Sequence, residues 1–196
     1  MKFLPITLFL IIAITISLAV PAQVLASTNP DIDAIQTLYA ASLADIASGS
    51  VYHNQYVANK DNKSWRALGA FKETIDVYYN DTMVMDGEIP IVKINVKTQE
   101  AATSSTEEYL FNNKGELVFV HYVSTVFDLD APNNSRPLDR RYYYKNGKVI
   151  RFMQDKQIYG GQNMPQDPNE SSIRQTAESL YQKGLRIWQF TMLYIE

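Results

Sequence analysis

The chain contains no cysteine. That excludes disulfide frameworks, zinc–thiolate and iron–sulfur sites, thiol nucleophiles and lipid attachment at a processed N-terminal cysteine. Histidine is nearly as scarce: only His53 and His121 occur, which leaves little material for a His-based metal centre. No cofactor and no metal are therefore expected. Neither sign of charge dominates. Eighteen basic residues stand against 21 acidic ones, for a net charge of −3, without a dense basic run. Nucleic acid is a poor partner for such a chain. Phosphate-loop, HExxH and GxSxG motifs are missing as well. Long apolar runs are also lacking, with one exception at the N-terminus.

The exception runs from Phe3 to Val20, 18 uncharged residues preceded by Lys2. As a helix it would span about 27 Å, just short of the ~30 Å hydrocarbon core of a bilayer. Length alone therefore does not separate a cleaved signal from an anchor. Pro21 and the small residues Val24 and Ala26 favour a signal peptide over residues 1–26, cut between Ala26 and Ser27. The expected location is periplasmic or secreted, with no membrane contact after cleavage. A retained segment would instead make a membrane-tethered structural protein. Export without cysteine is physically reasonable, because a domain of about 170 residues buries enough surface to do without disulfides.

Residues 27–196 read as one α+β domain. Asn29 and Pro30 suit the cap and first position of a helix over about 30–48, and Asp31 and Asp33 favour its positive end. Ile32, Ile35, Leu38, Tyr39, Leu43 and Ile46 recur on one face, and Gly49 is a natural stop. Residues 51–57 alternate only loosely. Clearer strands lie within about 70–155. Glu73–Tyr79 alternates, and so does Val92–Thr98, whose Lys93, Asn95 and Lys97 read as a wet face. One hairpin turns at Asn113-Lys114-Gly115. A second turns at Asn146-Gly147, the strongest short hairpin signal, because both central residues of a type I′ turn need positive φ. Its two-residue turn sets Tyr144 opposite Val149, Tyr143 opposite Ile150, Tyr142 opposite Arg151 and Arg141 opposite Phe152.

Between the hairpins, 128–138 reads as a polar loop that begins like a calcium site but departs from it at Pro132, Asn133 and Asp139. A long helix over about 168–194 closes the chain, opened by the capping pattern Asp167-Pro168-Asn169-Glu170. Its stripe is Ile173, Ala177, Leu180, Tyr181, Gly184, Leu185, Trp188 and Met192, with Gly184 placed to admit another backbone. The expected architecture is an antiparallel meander of about five or six strands, packed against an N-terminal helix and a long C-terminal one.

Two constellations carry chemistry. His121 sits in the apolar arm of the first hairpin, opposite Glu108 or Glu107 depending on turn length. A cross-strand carboxylate orients an imidazole, which makes an acid–base pair or, more plainly, a strand histidine with a partner. In the second hairpin, alternation and the register above place Arg140, Tyr142, Tyr144 and Arg151 on one face. An Arg–Tyr patch suits a carboxylate, phosphate or sugar ligand, or a protein partner.

The segments NPDIDAIQTLY, NKSWRALGAFKETIDVYY, EEYLFNNKGELVFV and RRYYYKNGKVIR, within about 30–155, resemble a family of uncharacterised exported bacterial proteins, cyanobacterial ones among them. That resemblance implies an exported α+β domain with paired Gly-turn hairpins, and carries no activity or catalytic residues with it. The functional expectation is a non-catalytic domain binding a small ligand or protein, contacted through Arg140, Tyr142, Tyr144 and Arg151. The alternative is an enzyme using His121 with Glu107 or Glu108.

Overall fold

The first helix follows its local signals closely. The Asn29 side-chain oxygen accepts the Asp31 N–H at 3.0 Å, and α1 runs Pro30–Ser48. At its end Gly49 takes φ 71°, so that its N–H reaches Ile46 O at 3.2 Å and Ser50 N–H reaches Asp45 O at 3.1 Å. Only glycine enters that left-handed turn at no steric cost.

The computed structural model describes residues 29–66, 69–80, 90–100, 103–127, 129–130, 135–159 and 170–195. The signal segment with its Ala26–Ser27 cut, residues 128 and 131–134 of the calcium-like loop, and the Asp167-Pro168 cap lie outside the described residues. After α1 come β1 (Tyr52–Ala58), β2 (Ser64–Trp65), β3 (Gly69–Tyr79), β4 (Ile91–Glu100), β5 (Thr103–Phe111) and β6 (Leu117–Phe127). Then follow β7 (Ser135–Lys145), β8 (Lys148–Gln154), β9 (Gln157–Tyr159) and α2 (Glu170–Met192).

The class is α+β. All pairings are antiparallel, and the order β1-β3-β4-β5-β6-β7-β8-β9 is a meander, with β2 paired to the start of β3. Nine strands among the described residues exceed the five or six expected, and the reasons are local. β1 lies in a segment that alternates only loosely, β2 is two residues long and β9 three. The β8–β9 turn is made by Asp155 (φ 48°) and Lys156 (φ 74°), residues that carry no glycine signal. β7 starts at Ser135, inside the segment read as loop. Its Pro137 is tolerated because it lies beyond the last β7–β8 pair, Arg140 with Gln154, where a missing N–H leaves no ladder bond unmade on that side.

Alternation decides which helix each strand residue meets. Val77, Ile94, Tyr109, Val120, Tyr142 and Phe152 are buried on one side with Ala177 and Leu180 of α2, and the rest of the expected stripe packs around them. Leu110, Phe119 and Tyr143 are buried on the other side with Ile32 and Ile35 of α1. The second hairpin turns at Asn146 (φ 50°) and Gly147 (φ 73°), and Tyr144 faces Val149 as expected. A bulge at Ile150 then shifts the ladder, so that Tyr143 faces Arg151, Tyr142 faces Phe152 and Arg141 faces Met153.

Gly184 admits a ring rather than a backbone. A Cβ there would lie 2.6 Å from Cδ1 and 2.9 Å from Cε1 of Tyr109, a fully buried side chain whose hydroxyl is held by Glu107. Overpacking costs about 1–3 kcal/mol, against ~1 kcal/mol gained from replacing glycine in a helix. Gly184→Ala is therefore expected to lower the urea midpoint, by about 1 kcal/mol of stability. An unchanged or higher midpoint would mean that the Tyr109 ring moves aside.

Candidate functional site

A strand residue's cross-strand neighbours follow from register alone. On the α1 side the registers align Gln55, Asp76, Asn95, Glu108, His121 and Arg141 across six strands. The row is polar from β1 through β7 and turns apolar at Met153 of β8. The next row holds Tyr78, Lys93, Leu110, Phe119 and Tyr143, and its apolar end lies under α1. The site forms where the apolar row under the helix meets the polar row beside it.

Glu108 is the centre of that boundary. Its Oε2 accepts the Tyr39 hydroxyl of α1 at 2.6 Å and the Lys93 ammonium at 2.9 Å. Lys93 is only 2 % exposed at its side chain, and its Nζ lies 4.7 Å from the centre of the Tyr39 ring. Burial by itself raises the Glu108 carboxyl, but the hydrogen bonds from Tyr39 and Lys93, with the charges of Lys93 and His121, outweigh it and hold the group below its ordinary range. Tyr39 is pushed well up, first by burial and then by its bond to Glu108, so it stays a donor. Sequence alternation had placed Lys93 on a wet face. Instead α1 covers it, and the ion pair and the ring make burial tolerable.

His121 lies beside this pair. Its Nε2 is 3.0 Å from Asp139 Oδ1, while Nδ1 is 4.0 Å from Glu108 Oε2, beyond hydrogen-bond range. Arg141 Nη2 donates to Asp139 Oδ2 at 3.3 Å. Above them opens a cavity of about 170 Å³. Ile35, Gln36 and Tyr39 of α1 form one wall, and Phe119, His121, Arg141 and Tyr143 of the sheet form the other. At the far end of the polar row, Asp76 accepts Gln55 Nε2 at 2.7 Å and meets His53 Nε2 at 2.9 Å. Among the described residues no cluster of three or more His, Cys, Asp or Glu could hold a metal ion.

The structure sorts the sequence-derived residues between two faces. The turn is the longer, three-residue one, closed by Asn112 N–H to Glu116 O at 3.0 Å, but a bulge at Val118 shifts the ladder by one and sets Glu108 opposite His121, while the imidazole's hydrogen bond goes to Asp139. Glu107 stands opposite Tyr122 on the α2 side, where it meets Lys183 at 2.7 Å and the Tyr109 hydroxyl. Arg140, Tyr142, Tyr144 and Arg151 do not form one surface. Tyr142 and Tyr144 are buried under α2, and Tyr144 Oη donates to Ala177 O at 2.8 Å. Arg140 donates through Nε to Gln154 at 3.0 Å on that same side. The bulge at Ile150 sets Arg151 opposite Tyr143, on the α1 side. Sequence reading names Tyr39, Asp139 and Arg141 but places none of them in a site, and it does not name Gln36. Arg141 and Asp139 follow only from the β6–β7 register, and the long connection between those strands hides it. Gln36 and Tyr39 depend on how α1 crosses the sheet.

Compared with known proteins, the chain matches no family model, no curated protein and no solved structure. The resemblance to exported bacterial proteins therefore rests on the quoted segments alone.

Removing the Glu108 charge leaves Lys93 buried without a counter-ion. Glu108→Gln is therefore expected to cost about 3 kcal/mol at neutral pH. The carboxyl is depressed in the folded state, so its contribution is complete above the unfolded value of about 4.3 and is lost as pH falls through the folded value. Urea unfolding between pH 7 and 2.5 should show the wild type losing stability below about pH 4.3 more steeply than Glu108→Gln. Parallel curves would contradict this placement of the charge.

Proposed function

We propose that this chain is an exported binding domain that holds a small ligand in the cavity between α1 and the sheet. The observation that carries the reading is the convergence of Tyr39, His121, Arg141 and Gln36 on one opening walled by Ile35, Phe119 and Tyr143. Apolar walls with a few placed polar groups are the ordinary make-up of a ligand site. Export is supported by the signal-like residues 1–26 and by the exported bacterial family that the segments resemble. Among the described residues no helix is long and apolar enough to cross a membrane.

Acid–base catalysis at His121 is the second reading, favoured by its 3.0 Å contact with Asp139. Its weakness is geometric: Nε2 is taken by Asp139, and Nδ1 faces Glu108. Binding asks less of the same groups.

Native mass spectrometry of the protein recovered from the exported fraction of its own cells tests the reading. The expected result is a chain starting at Ser27 with a retained small molecule. Gln36→Trp, a half-exposed helix position on the cavity wall, should abolish retention without lowering thermal stability. Retention unchanged by Gln36→Trp would place the ligand elsewhere, and a start at Met1 would overturn cleavage.

A further inference from the structure

We infer that the cavity under α1 takes a small organic monoanion built on one flat ring, of the aromatic carboxylate class. The inference rests on the ligand-site reading and adds the charge and shape of the occupant.

Charge comes from what lines the opening. Arg141 is a permanent cation on the cavity wall, 42 % exposed at its side chain. One of its donors goes to Asp139, at 3.3 Å, and the guanidinium fork carries five. Gln36, whose amide N–H groups can donate, lies on the opposite wall. Among the described residues no carboxylate lines the cavity: Glu108 is bound to Tyr39 and matched by Lys93 at 2.9 Å, while Asp139 is bound by His121 and Arg141. An anion therefore meets donors first. A planar guanidinium presents paired N–H groups that fit the two oxygens of a carboxylate.

Shape comes from the rings. Phe119 is the floor, with Tyr143 at 4.9 Å and Tyr39 at 5.1 Å between ring centres, and Ile35 adds an aliphatic wall. Inorganic phosphate would leave these surfaces unused. The volume of about 170 Å³ is close to that of cavities of about 150 Å³ known to hold benzene. One ring with its substituent fills that volume.

The opposite occupant, an organic cation in an aromatic cage, meets two obstacles. The Tyr39 ring is already occupied by the Lys93 ammonium, 4.7 Å from its centre. Arg141 would repel a second cation at the mouth.

The test titrates the full chain with sodium benzoate, its neutral isostere benzamide and inorganic phosphate, followed by tyrosine and arginine side-chain NMR signals. The expected result is saturable benzoate binding that shifts Tyr39, Tyr143 and Arg141, with benzamide at least tenfold weaker and phosphate weaker still. Arg141→Gln should weaken benzoate at least tenfold and leave benzamide unchanged. Benzamide binding as tightly as benzoate, with Arg141→Gln silent, would overturn the anion assignment while the cavity stays a ligand site. Phosphate matching benzoate would overturn the ring. If no probe moves any signal from the cavity, and Gln36→Trp leaves the ligand retained by the exported protein in place, the site reading falls together with the inference.

Discussion

The register of β5 sends two adjacent carboxylates to the two helices among the described residues. Glu107 and Glu108 are neighbours in β5, and a strand turns successive side chains to opposite faces. Glu107 therefore reaches Lys183 of α2 at 2.7 Å, and Glu108 reaches Tyr39 of α1 at 2.6 Å. A slip of one residue in β5 would exchange these partners and turn Tyr109 and Leu110 to the wrong helix as well. The registers on either side of β5 share that constraint, so the polar row and the apolar core are two readings of one alignment.

The helices are nevertheless held by different physics. α2 lays a long apolar stripe on the sheet, with Ala177 and Leu180 buried and Ile173, Tyr181, Leu185, Trp188 and Met192 packed around them. Hydrophobic burial of that extent dominates, and the Lys183 contact only sets the position along the helix axis. α1 buries Ile32 and Ile35, but Leu43, read from sequence as part of its apolar stripe, is 42 % exposed. Leu38 and the Tyr39 ring pack against that core as well, and two polar contacts add to it: Tyr39 on Glu108, and Asp31 on Lys145 at 2.7 Å. The second of these is exposed and contributes at most about 1 kcal/mol. The helix with the shorter apolar contact is the one that leaves a cavity beneath it.

Much of the fold is legible in local chemistry. The cap at Asn29, the stop at Gly49, the Asn146-Gly147 turn and the α2 stripe each follow from a residue whose conformational preference is strong in isolation. The missed strands lack such residues. β2 and β9 are too short to show alternation, and Asp155-Lys156 turns the chain without glycine. The candidate site was legible only in part. The pairing of His121 with a β5 carboxylate is local to one hairpin, but turn length alone does not choose between Glu107 and Glu108: the three-residue turn points to Glu107, and the bulge at Val118 brings Glu108 opposite instead. The Arg–Tyr patch failed because one extra residue, Ile150, moves Arg151 away from Tyr142. Nothing in the residue type of Ile150 announces a bulge.

The sequence by itself determined the α+β class, the ends of α1, both Gly turns and the face that α2 buries. These depend on periodicity and on φ preferences carried by single residues. Only the tertiary structure decided that Lys93 is buried, that Asp139 rather than Glu108 hydrogen-bonds His121, and that Gln36, Tyr39 and Arg141 share one opening. Those outcomes depend on how α1 crosses the sheet and on a register set across a long connection. Both are settled by packing between segments distant in the chain, and no local preference encodes them.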